Sequence, residues 1–200
     1  MAPAQLESVE LNDESLWEQH PERALAIAHE TARLLIGGGV NGSGGDAYER
    51  LVDFLEEDGL DVLARLWSSA EPSSLPGALW RLVLMRHQLV ERSDVVASLV
   101  EIGMAQLKTI DPVVAGLGEP VSAWGVQSVL DQILSGSFHG ELVPALRRAS
   151  ALARLVSAGL LHWPEVNGAE VKATLSALHW EELSRALALS ARREEKGELS

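Results

Sequence analysis

Residues 76–91, PGALWRLVLMRHQLVE, decide the fold class. Apolar side chains recur there at intervals of three and four, not two. On a wheel turning about 100° per residue, Leu79, Leu82, Val83, Leu89 and Val90 gather on one side. Arg81, Gln88 and Arg92 mark the opposite, wet side. Arg86 breaks the pattern by falling inside the apolar arc. An inward guanidinium without a partner is very costly, so Arg86 needs a carboxylate or carbonyl, or must extend its charged end to water.

The same helical spacing extends outward in both directions. Toward the N-terminus, residues 60–67 form a short helix before a Ser/Pro loop at 68–74. Asp46 caps a helix over 46–57 whose inner side is Ala47, Tyr48, Leu51, Val52, Phe54 and Leu55. Pro21 opens a helix over 22–36, with Ala24, Leu25, Ile27, Ala28, Ala32, Leu34, Leu35 and Ile36 on its inner side. Six glycines within residues 37–45 end that helix and form a linker. Asp13 or Ser15 caps a first turn, and residues 1–12 form a flexible arm.

Toward the C-terminus, Ser93 or Asp94 caps a helix reaching about residue 109. A short turn follows from Asp111 to Gly118, then helices over 120–134, 140–161 and 169–193. The polar tail 194–200 reads as frayed. The expected architecture is all-α: a single domain over 13–193, with about seven to nine helices in orthogonal or bundle packing and 76–91 at the centre.

A chain of 200 residues, 46% hydrophobic and 22% charged, has the composition of a globular domain with one core. It has no cysteine, which excludes disulfides, thiolate chemistry and Cys-ligated metal, and suits a reducing cytoplasm. The first residues lack a basic region followed by an apolar run, and no stretch approaches the length of a membrane span.

The net charge of −13 is uneven. Residues 1–61 hold fourteen acids against three arginines, a balance of −11, which leaves −2 for the remainder. Such a chain repels phosphate backbones and anionic membranes, so neither nucleic acid nor membrane is an expected partner. The acidic third serves solubility or docks a basic protein. Arg147, Arg148 and Arg154 form one basic patch, too small to argue for DNA.

Motifs for chemistry are weak. Gly42-Ser43-Gly44-Gly45-Asp46-Ala47 fits a loose dinucleotide pattern, but a helix precedes it where a strand is required. None of the six histidines has an acidic residue three positions earlier, and no two lie three or four apart. A metal site would need distant helices, for example His29, His87 and His179. Ser137 and His139 are close in sequence, but a catalytic pair is defined by geometry. No cofactor, metal site or catalytic residue is therefore expected.

Two anomalies remain. Arg86 is one, and Glu182, between Val171, Leu175 and Leu189, is its candidate partner. The other is six tryptophans against one tyrosine and two phenylalanines, which suit core packing or interface anchoring. The leading functional reading is a non-enzymatic interaction or regulatory domain. The wide apolar arc of Val95, Val96, Leu99, Val100, Ile102, Met104 and Leu107, interrupted by Gly103 and Gln106, suggests a homodimer. The second reading is a pocket for a small anionic ligand built from Arg86, Trp80, His87 and Glu182. A metal-dependent helical enzyme is third.

Overall fold

The computed structural model describes residues 21–40, 64, 66–118, 120–163 and 170–199. Seven helices and no strand occur among them, in one all-α domain. They are α1 (Pro21–Val40), α2 (Leu75–Val90), α3 (Ser93–Gln106), α4 (Asp111–Ala115), α5 (Ala123–Phe138), α6 (Leu142–His162) and α7 (Glu170–Glu195). The expected arm 1–12, the caps Asp13 and Ser15, the helix 46–57 and most of 60–67 lie outside the described residues.

Several boundaries follow from local chemistry. The Ser74 hydroxyl accepts the Gly77 N–H at 3.3 Å, and Pro76 occupies the first turn of α2, where its missing N–H costs nothing. Ser122 caps α5 in the same way, accepting from Gly125 at 3.0 Å. At α3 the expected cap is not used: Arg92 holds that position, and Ser93 is buried inside the first turn, where Gln127 donates to its hydroxyl at 3.0 Å.

Three helices run longer than their sequence breaks suggest. α1 continues through Gly37, Gly38 and Gly39 to Val40, so only 41–45 of the expected linker follows it, outside the described residues. α5 passes Gly136 and ends at Phe138. The tail is also ordered: Gly197, at φ +69°, ends α7 while Glu198 N–H donates to Arg193 O and Gly197 N–H to Glu194 O. This left-handed stop satisfies the last carbonyls and lets Leu199 bury itself.

The centre of the domain is α6, not α2. It packs against α3, α4, α5 and α7, and touches α2. Its small residues let neighbours approach on several sides: Ala145, Ala149, Ala151, Ala153, Ser157, Ala158 and Gly159 are all buried. The antiparallel α3–α6 contact is reciprocal. A β-carbon at Gly103 would lie 2.2 Å from the Leu155 carbonyl oxygen, and one at Gly159 would lie 2.0 Å from that of Leu99. Only glycine permits this approach.

The α6–α7 contact is made by hydroxyls. Ser150 donates to Ser184 O and Ser184 to Ser150 O, each at 2.9 Å, while Ser157 donates to Ala177 O at 2.8 Å. Buried Ala177, Trp180, Ser184, Leu187 and Ala191 set the inner side of α7 at intervals of three and four. Glu182 and Leu189 therefore face solvent, opposite to the sequence-based orientation. A wheel drawn through leucines misjudges a helix whose inner side is mostly Ala and Ser. In α1 the buried residues are Ala28 and Ala32, with Ile27, Leu35 and Ile36 packed beside them as expected, while Leu25 and Leu34 are exposed.

The apolar arc of α3 is largely absorbed within the chain. Val96, Leu99 and Val100 are buried, Ile102, Met104 and Leu107 are half-buried, and Val95 is exposed. The three arginines of the basic patch are likewise engaged. Arg147 pairs with Glu195, Arg154 lies 3.5 Å from Asp111, and Arg148 donates to Ala115 O and Gln132.

Candidate functional site

Among the predicted site residues, Arg86 has the clearest fate. Its Nε donates to Asp131 Oδ1 of α5 at 2.8 Å. Glu182 is not its partner; it is an exposed residue of α7. Asp131 was legible as an acid in an otherwise apolar-patterned helix, but only packing shows that α2 and α5 bring the two together. The Arg86 side chain is 18% exposed and that of Asp131 is 45% exposed, so the pair is a half-wet structural tie. Asp131→Ala is expected to lower stability by about 1–2 kcal/mol, less than for a fully buried pair, because water reaches the carboxylate. Arg86→Met is expected to cost less, since it leaves no unpaired charge inside; a double-mutant cycle by urea unfolding checks both.

His87 is directed elsewhere again, with Nε2 at 3.5 Å from Glu91 on the surface. The structure thus separates Arg86 and His87 from Trp80 and Glu182. The latter two share a cleft of about 490 Å³ between α2 and α7. Trp80, Arg81, Leu84, Met85 and Gln88 line it from α2; His179, Glu182, Leu183 and Ala186 line it from α7; Ser68, Ala70 and Pro72 form its roof.

Each wall is anchored. The roof closes directly onto Gly77, where a β-carbon would meet Glu71 O at 2.1 Å. Arg81 Nη1 donates to Gly77 O at 2.9 Å and to Pro72 O at 3.3 Å, pinning the roof to α2. Arg193 Nη1 donates to Ser73 O at 3.0 Å, pinning the roof to α7. The cleft is therefore preformed, with apolar walls and a few polar groups.

Arg81 is a cleft residue that its position on the wheel marks only as wet. It is half-buried, and burial pulls its guanidinium below the usual arginine range. Its partners among the described residues are carbonyls, with no carboxylate in ion-pair range. The available signal was its position four residues after Gly77, from which an arginine reaches back to a loop packed on the helix.

Other candidates are accounted for locally. Ser137 is buried and donates to Leu134 O at 2.6 Å, inside the last turn of α5 and not in a connection. His139 contacts Ser135. Among the described residues, no three His, Asp or Glu side chains stand close enough together to hold a metal ion, and His29, His87 and His179 do not form a group. No described helix is long and apolar enough to cross a membrane. Comparison with protein-family models, curated proteins and solved structures returns no match, so the reading of function rests on the geometry of this chain alone.

Proposed function

We propose that this chain is a non-enzymatic interaction domain that self-associates, most simply as a homodimer. One observation carries the reading. The three most exposed large apolar side chains among the described residues, Ile110 (74%), Val113 (82%) and Trp124 (77%), fall within fifteen consecutive residues of chain. Monomer surfaces tolerate scattered leucines, but an exposed tryptophan is typical of an interface anchor. Hiding such a ring is worth about 3 kcal/mol or more.

The interface of this proposal is the segment running through α4 to the start of α5. It differs from the α3 arc that suggested a dimer in the sequence, since α3 spends most of that arc inside. A cysteine-free chain suits the reducing cytoplasm as its compartment. Light scattering on size-exclusion eluate tests the assembly. The expected result is a dimer at micromolar concentration that Trp124→Ala converts to monomer without changing helical content. A wild-type chain that is already monomeric at that concentration overturns the homodimer.

A further inference from the structure

We propose that the α2–α7 cleft binds a small organic monocarboxylate, with Arg81 taking the head group and Trp80, Leu84 and Leu183 the apolar body. The site is distinct from the 110–124 segment and does not depend on self-association. Three features converge on this ligand class.

First, the cleft holds one cation suited to the task. Arg81 spends Nη1 on two carbonyls, Gly77 O and Pro72 O. Those bonds fix the guanidinium plane without neutralising it. A guanidinium held this way presents its remaining N–H groups as a fork that matches two carboxylate oxygens. The half-buried position makes an anion more valuable there than at a free surface arginine.

Second, the other walls suit a hydrocarbon or aromatic body. Half-buried Trp80, Leu84, Leu183 and Ala186 supply apolar surface from both helices, backed by buried Met85. A volume of about 490 Å³ admits a chain of roughly eight to ten carbons with room for water at the mouth.

Third, Glu182 lines the same cleft. Its charge offsets much of the field of Arg81, so a second negative charge on the ligand would add desolvation cost without a matching attraction, which favours a singly charged head group. Gln88 and His179 add hydrogen-bonding side chains to the lining.

The test compares octanoate with 1-octanol by calorimetric titration of the full chain, because the two share a body and differ in head group. Octanoate is expected to bind at least about tenfold tighter than octanol, the size of one charge-assisted hydrogen-bond pair. Arg81→Gln is expected to abolish that preference, because the ratio of the two affinities cancels whatever loss of the roof contacts costs both probes. Since Arg81 also holds the roof, Leu84→Trp provides a second variant: it leaves Arg81 in place, fills the cleft, and is expected to remove binding of both probes. The assignment falls if wild-type protein binds octanoate no better than octanol, or binds neither. It falls equally if Leu84→Trp leaves octanoate affinity unchanged, or if octyl phosphate binds tighter than octanoate.

Discussion

Gly159→Ala is expected to lower the stability of the domain by about 2–4 kcal/mol, although alanine is the better helix former by about 1 kcal/mol. The added carbon would sit 2.0 Å from the Leu99 carbonyl oxygen, less than any real contact allows. The obstacle is backbone within α3, so no side chain can swing away; α3 and α6 must separate. Separation also disturbs Gly103, which meets the Leu155 backbone from the other side. Because α6 is the hub of the domain, the loss spreads to the packing of Val96, Val100, Leu152 and Val156. Gly136→Ala is the matched control. It lies in a helix with its nearest new contact at 3.5 Å, a side-chain oxygen, and is expected to stabilise by up to about 1 kcal/mol. Opposite signs for two Gly→Ala changes in urea unfolding are the expected result. A neutral or stabilising Gly159→Ala would mean that the α3–α6 contact is looser than described.

Trp67→Ala is expected to cost about 3–5 kcal/mol, the range for deleting a buried large aromatic. Trp67 is fully buried and is the largest of the fully buried side chains. Its Nε1–H donates to Thr31 Oγ1 at 3.2 Å, and Thr31 in turn donates to Ile27 O at 2.9 Å. The ring thereby connects α1 to the segment that leads into the cleft roof. α1 otherwise meets the body through buried Ala28 and Ala32 and half-buried Ile27, Leu35 and Ile36, against α2 and α5. Trp67→Phe separates the two contributions. It keeps most of the ring and loses one hydrogen bond, so its expected cost is nearer 1–2 kcal/mol. Thermal unfolding followed by circular dichroism distinguishes them, and a difference of several degrees in Tm between the two variants is expected. If Ala and Phe at this position behave alike, the ring does not fill the space described for it.

Hydropathy reading finds leucine stripes and assigns them inward. In α2 this works: Leu79, Leu82, Val83 and Leu89 are all buried. In α7 it fails, because Ala177, Ser184 and Ala191 form the inner side and leave Leu178 and Leu189 outside. Small residues carry little hydropathy weight, yet they allow the close approach that buries backbone and neighbouring side chains. The leucine pattern therefore turns Glu182 inward and pairs Arg86 with it, whereas Asp131 is the acid that packing brings to Arg86. Arg81 was missed for the reverse reason. A guanidinium that reaches back to loop carbonyls appears on a wheel as a wet residue.

The all-α class, the positions of most helices and the short turn at 111–116 were determined by the sequence itself, because periodicity, caps and the special backbone freedom of glycine act within a few residues of chain. Which helix lies at the centre, which acid meets Arg86, and which arginine faces a cleft were decided by tertiary structure alone. Those outcomes depend on distances between residues some 34–120 positions apart, as in the Ser150–Ser184, Arg86–Asp131 and Ser73–Arg193 contacts, and no local pattern encodes such distances.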